Sequence, residues 1–353
     1  MSLRDILIAQ IRSEGPMRVS DYMAACLLHP THGYYTNRAP FGSAGDFVTA
    51  PEISQMFGEM IGLSLAQAWL DRGAPDTFTL AELGPGRGTL MADILRATRG
   101  VPGFTEAAQI VLYEASQALR GVQAETLSHH RPRWISKIED LPEQPTFLIA
   151  NEFFDALPVR QFVRDGDGWR ERQVGLAGDD LVFGLGPAQP QPVLVHRLDD
   201  TRDGDLIEHC PGLAPVLGIV ADRIARHGGA ALIVDYGDWR SLGDTLQAVR
   251  DHDATDPLAT PGTADLTAHV DFEALVSACG QCTHSRVTPQ GVFLERLGIT
   301  ARARALSDRL SGPALESHIA AHRRLTHPQE MGNLFKVIGV VAPEDAMLPG
   351  LET

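Results

Sequence analysis

The chain is poor in lysine, in cysteine and in long apolar runs, and each shortage closes off a class of function. Lys137 and Lys336 are its two lysines, and neither ends a glycine-rich loop, so a phosphate-cradling Gly-Lys-Ser/Thr loop is excluded. Four cysteines, Cys26, Cys210, Cys279 and Cys282, are scattered through 353 residues, a usage that suits a reducing compartment rather than a disulfide scaffold. Cys279 and Cys282 make a lone C-x-x-C pair without a second pair or a histidine couple, so no metal site is expected. No run of about twenty apolar residues occurs, which argues against membrane insertion. Basic residues are outnumbered 30 to 45 by acidic ones, for a net charge of −15. That sign weighs against nucleic acid, whose affinity comes largely from phosphate contacts, and suits a basic partner. Ser2 to Ser13 reads as an amphipathic helix without the apolar core of a secretory signal. A cytoplasmic protein is expected.

What the chain does have is a glycine loop behind an apolar strand. Thr79-Leu80-Ala81-Glu82-Leu83-Gly84-Pro85-Gly86-Arg87-Gly88-Thr89-Leu90 sets three glycines at alternate positions after an acid. Glycine admits positive φ and carries no Cβ, so such a loop can turn off the strand and lay backbone N–H groups against a ligand at a helix N-terminus. The dinucleotide fingerprint G-x-G-x-x-G puts two residues between its last glycines, whereas Arg87 alone separates Gly86 from Gly88. An NAD-dependent oxidoreductase is therefore the less favoured alternative. The acid-x-Gly-x-Gly-x-Gly pattern of Glu82, Gly84, Gly86 and Gly88 resembles the first motif of class I S-adenosyl-L-methionine (SAM) methyltransferases, in which the loop carries the amino-acid part of the cofactor. The next apolar run, Ala108 to Tyr113, closes on Glu114, an acid placed to accept both ribose hydroxyls. A third strand is expected near Trp134 to Ile138, with Asp140 at its end, where this fold contacts adenine.

The expected architecture is α/β, a Rossmann-like seven-stranded sheet with a helical N-terminal region and an inserted β lobe. Residues 1–75 form that helical region and a cofactor-covering loop; 76–160 and 205–353 form the core; 161–204 form a β meander. Strands are expected at Phe78 to Glu82, Ile110 to Glu114, Ile135 to Ile138, Thr146 to Asn151, Ala230 to Asp235, Thr283 to Thr288 and Asn333 to Ala342. Pro51 opens a long helix to about Asp71. The loop before it, with Gly45, Asp46, Phe47 and Thr49, is placed to close over a cofactor. His269 lies in a polar stretch left for the active-site face and reads as a buried or capping histidine before a base.

Ligands of open α/β sheets bind outside the carboxyl ends of the strands, and strand four runs out into Asn151-Glu152-Phe153-Phe154-Asp155-Ala156-Leu157-Pro158. Amino-directed DNA methyltransferases carry a Pro-Pro pair here, which this chain lacks. Two carboxylates can instead hold a guanidinium in bidentate fashion and fix its plane. Glu152 and Asp155 are thus the candidate catalytic pair for an arginine acceptor.

The motifs Gly45-Asp46-Phe47, Thr49-Ala50-Pro51-Glu52-Ile53-Ser54, Glu82 through Gly88, Asn151 through Pro158, Thr267-Ala268-His269-Val270-Asp271-Phe272 and Gly332-Asn333-Leu334-Phe335-Lys336 together resemble the MidA family of SAM-dependent methyltransferases, also known as DUF185, over nearly the whole length. The resemblance implies SAM as cofactor, held by Glu82, Gly84, Pro85, Gly86, Gly88, Thr89, Glu114, Asp140 and Asn151. It places Gly45, Asp46, Phe47, Thr49, Pro51 and His269 on the substrate and lid side. Mitochondrial members are protein-arginine methyltransferases needed for assembly of respiratory complex I, which implies a protein substrate, with a complex I subunit the first candidate. A non-catalytic assembly factor that retains a SAM pocket is the alternative, and a homo-oligomer is left open.

Overall fold

The structure, a computed structural model, describes residues 1–37 and 49–353. Gly45, Asp46 and Phe47 lie outside the described residues. The core is a twisted sheet built on β1 (Phe78–Leu83), β2 (Ala108–Tyr113), β3 (Arg133–Ile135), β4 (Thr146–Asn151), β5 (Gly229–Asp238), β6 (Thr283–His284) and β7 (Phe335–Val341), in the spatial order β3-β2-β1-β4-β5-β7-β6. β7 runs antiparallel to both its neighbours, and β1 to β5 are mutually parallel. Among the described residues the sheet counts nine strands where seven are expected. The stretch expected as one sixth strand breaks at Ser285, whose backbone and hydroxyl bond Gly339, into β6 and a separate two-residue strand, Thr288–Pro289, on β7. Val270–Asp271 adds a further short strand on β5.

Every residue of β1 and β4 is buried, because helices cover both faces. Alternation then sorts the side chains. Leu80, Leu112, Phe147, Ile149, Leu232 and Val234 face helices Gln55–Asp71 and Thr89–Ala97, while Ala81, Val111, Leu148, Ala150, Ala231 and Ile233 face Leu213–His227 and Phe272–Ala278. Burying these two layers, at about 25 cal/mol per Å² of apolar surface, stabilises the sheet whose carboxyl edge carries the loops.

The β lobe is larger than expected. Arg160–Asp165, Gly168–Ala177, Asp180–Gln189 and Leu206–His209 form one antiparallel sheet, and Met17–Arg18 of the N-terminal region joins its edge. The helix expected from Pro51 to Asp71 is two helices, Ala50–Ile53 and Gln55–Asp71. Ser54 stands between them in extended backbone and caps the second by accepting the Met56 N–H. The polar stretch around Gln247 to Thr267 builds a small third sheet, which packs with helices Leu3–Glu14 and Val19–Leu28. Among the described residues, no helix is long and apolar enough to cross a membrane.

Candidate functional site

Gly84, Gly86 and Gly88 take φ values of +63°, +52° and +81°, the left-handed region that glycine enters without steric cost. A Cβ on Gly84 would stand 3.0 Å from the Phe153 ring, so the ring would have to give by a few tenths of an ångström, while the positive φ itself favours glycine. The loop parts two cavities. One, of about 170 Å³, is lined by Gly84, Gly86, Tyr113, Glu114, Leu119, Phe153, Tyr35 and Glu152. The other, of about 40 Å³, is lined by Thr49, Pro51, Glu52, Glu82, Gly84, Pro85, Gly86, Thr89, Asn151 and Glu152. Gly84, Gly86 and Glu152 belong to both.

The first cavity has the chemistry of a nucleoside site. Glu114 follows β2 directly, with Oε1 accepting the Ser116 N–H (2.7 Å) and Oε2 accepting from Gln123 Nε2 (3.0 Å). Its remaining lone pairs are available to a pair of hydroxyls. Burial raises its pKa above the ordinary value, and the Ser116 and Gln123 donors oppose that. Gln123 also donates to the Gly86 carbonyl (2.8 Å) and accepts from Trp134 Nε1 (2.8 Å), tying the β2 acid to the glycine loop. Sequence reading passed over Gln123. Its signal was there, a polar residue between Leu119 and Leu127 at helical spacing on a buried stripe.

The second cavity has the chemistry of a cationic tail. Glu82 is 3% exposed, and its Oε2 has no hydrogen-bond partner among the described residues; nor has Asn151 Oδ1. Buried acceptors are costly when unmet, so a donor belongs there. Burial pushes the Glu82 pKa up to about 8. Helix Ala50–Ile53 closes this end: Glu52 Oε1 accepts the Thr89 hydroxyl (2.6 Å) and Oε2 pairs with Arg87 (3.4 Å). Glu52 was also missed, because its partners lie far along the chain.

Glu152 stands where the cavities meet. Its φ is +51°, a strained setting for a side chain with a Cβ. Oε1 accepts the Ala50 N–H (3.2 Å) and the Asn151 amide (3.0 Å), which leaves Oε2 for a ligand. Burial, then the Asp155 charge, push its pKa up to about 7. A carboxyl there can bind a cation and take up a proton near neutrality.

The remaining candidates separate. Asp155 is 5% exposed and lines neither cavity; it lies behind Glu152 facing Tyr236 and Thr267. Asp155 Oδ1, Tyr236 OH and Thr267 Oγ1 face one another without a hydrogen bond of ordinary geometry. Asp140 is exposed and lines neither cavity, since Ile138 turns inward in the short turn after β3 and leaves Asp140 outside. Gly88 turns the chain into helix Thr89–Ala97 without lining either cavity. His269 packs edge-on against Tyr236 with ring centroids 5.3 Å apart and lines a separate cleft with Gly237, Arg324 and Lys336.

Comparison with known proteins shows the family. Residues 60–290 match the family model Methyltransf_28, described as S-adenosyl-L-methionine-dependent methyltransferase. The chain is 37% identical to protein arginine methyltransferase NDUFAF7, mitochondrial, of Bos taurus, over 95% of this chain and 82% of that protein. The Homo sapiens protein of the same name is 35% identical over 95% and 82%. The crystal structure of a COG1565 superfamily member from Burkholderia thailandensis bound to S-adenosyl-homocysteine superposes with a TM-score of 0.84 at 31% identity, covering 99% of this chain and 94% of that one.

Proposed function

The chain belongs to the Methyltransf_28 family of S-adenosyl-L-methionine-dependent methyltransferases, and we propose that it transfers a methyl group to an arginine guanidinium of a protein substrate. The observation that carries the reading is Glu152, a strained, half-buried acid with one free carboxylate oxygen at the junction of the two cavities. Relatives named protein arginine methyltransferase support the choice of acceptor.

The chain's own groups fit the cofactor. Glu114 suits ribose hydroxyls, the loop from Gly84 to Gly88 suits a carboxylate on its N–H groups, and the unpartnered Glu82 Oε2 suits an ammonium. SAM supplies the electrophilic methyl group when bound. Glu152 binds the acceptor guanidinium through Oε2 and takes the proton that the methylated nitrogen sheds. Asp155, from behind, adds negative charge that favours the cationic acceptor. Positioning of this kind is worth up to ~7–11 kcal/mol. The first candidate for the acceptor protein is a respiratory complex I subunit, on the family resemblance. The cytoplasmic placement rests on the sequence alone, and the relatives are named as mitochondrial. Fractionation of cells expressing the chain would decide between the two.

The test is methyl transfer from labelled SAM into lysate protein, with amino-acid analysis of the product. Methylarginine should be the labelled species, and Glu152→Gln should lower its formation at least ~100-fold, about 2.7 kcal/mol of transition-state stabilisation, while S-adenosylhomocysteine still binds. Label confined to another amino acid or to nucleic acid would reject the arginine reading.

A further inference from the structure

The turn that carries Glu152 is gripped by an acid that sequence reading did not select. Asp235 lies in β5 and is 0% exposed. Its Oδ2 accepts the backbone N–H groups of Phe154 (2.9 Å) and Asp155 (3.3 Å), and its Oδ1 accepts the Tyr236 N–H (3.0 Å). No cation pairs with it among the described residues. A buried carboxylate is costly to place, and here its hydrogen bonds go to the backbone of a single turn and to its own strand. That turn begins at Glu152, whose φ of +51° is disfavoured for a residue with a Cβ. The Glu152 N–H is tied to the Val234 carbonyl (2.9 Å), one residue before Asp235. β5 therefore holds the turn at both ends, by its own backbone at Glu152 and by the Asp235 carboxylate at Phe154 and Asp155.

We infer that Asp235 is a positioning residue for methyl transfer, its carboxylate clamping the turn from Glu152 to Asp155 so that the Glu152 side chain points into the junction of the two cavities. The inference rests on the methyltransferase reading above. The chemistry explains why an acid is needed. Asparagine offers one acceptor oxygen, so it cannot serve Phe154 and Asp155 on one side and Tyr236 on the other; its NH2 would face a backbone N–H.

Asp235→Asn in the full chain should keep S-adenosylhomocysteine affinity within ~3-fold, because Glu82, Glu114 and the glycine loop are untouched, while kcat for methyl transfer falls at least ~30-fold. A residue acting through Glu152 adds nothing once Glu152 is gone, so Asp235→Asn combined with Glu152→Gln should be no slower than Glu152→Gln alone. Additive losses, an unchanged kcat, or loss of S-adenosylhomocysteine binding by folded Asp235→Asn would each overturn the clamp. If the variant does not fold, hydrogen exchange on the wild-type protein decides. The Phe154, Asp155 and Tyr236 amides should be protected at least ~100-fold relative to free amides, and exchange at free rates would overturn it. Should wild type transfer no methyl group at all, the methyltransferase reading fails while the exchange measurement still tests the clamp.

Discussion

Glu82 joins burial, charge and ligand in one side chain. Its carboxyl is raised from the ordinary 4.5 to about 8 by burial, opposed by the Met91 backbone N–H. Between those two pH values the folded protein holds a proton that the unfolded chain has shed, so the contribution of this group to stability falls as pH rises through that window. Glu82→Gln removes the penalty and should stabilise the ligand-free protein at pH 8 by up to about 4 kcal/mol, since each pH unit of that window costs about 1.36 kcal/mol. The same variant should bind S-adenosylhomocysteine more weakly, because an ammonium partner is lost. In the wild type, a bound ammonium favours the ionised carboxylate, so binding expels a proton and affinity should rise with pH between about 6 and 7.5, by at most ~10-fold per pH unit. Calorimetry in buffers of different protonation enthalpy reads that proton directly. Equal affinity at both ends of the range, or undiminished binding by Glu82→Gln, would remove Glu82 from the cofactor's ammonium.

Among elements, what could be read in the sequence was what a single stretch of chain decides. Strands β1, β4 and β5 are legible because a strand covered on both faces must be mainly apolar, β2 is legible through its buried centre Ile110 to Leu112, and the glycine loop is legible because its positive φ values restrict residue type. Pairings set by the path of distant segments leave no local mark. Met17–Arg18 joins the β lobe, Val270–Asp271 pairs with β5, and Asp140 is turned out to solvent although it follows a strand as expected. The candidate site divides the same way: Glu82, Gly84, Glu114 and Glu152 are proposed from neighbours in sequence, whereas the hydrogen bonds of Gln123, Glu52 and Asp235 reach across 37, 37 and 81 residues to Gly86, Thr89 and Phe154. Ser54 could have continued a helix as easily as capped one. The helix it cuts off, Ala50–Ile53, is attached to the glycine loop through Glu52. Glu52→Ala should therefore weaken S-adenosylhomocysteine about 5–10-fold, the worth of about one hydrogen bond, with little change in the thermal midpoint because the helix is only four residues long. A collapse of the midpoint would show instead that this contact holds the core together.

At the scale of the whole molecule, the two apolar layers fix the carboxyl edge of the sheet, and the surface charge acts on whatever approaches it. A net charge of −15 creates a field that draws in a basic protein and slows an acidic one, and salt weakens it as the screening length shrinks from about 10 Å at 0.1 M to about 3 Å at 1 M. The cofactor pocket is lined by buried groups whose interactions are short-ranged and little screened. The two substrates should therefore respond differently to salt. For an arginine-bearing basic protein acceptor, kcat/KM should fall about tenfold between 0.05 and 0.5 M salt, through a rising KM with kcat constant, because steering affects encounter and not the chemical step. The affinity for S-adenosylhomocysteine should change less than about threefold over the same range. Initial rates at low acceptor concentration, set beside calorimetry at matched salt, measure both. A kcat/KM that climbs with salt would mean that the acceptor is itself acidic, and the search for the methylated arginine would then turn to acidic proteins, whose approach the enzyme's own field opposes.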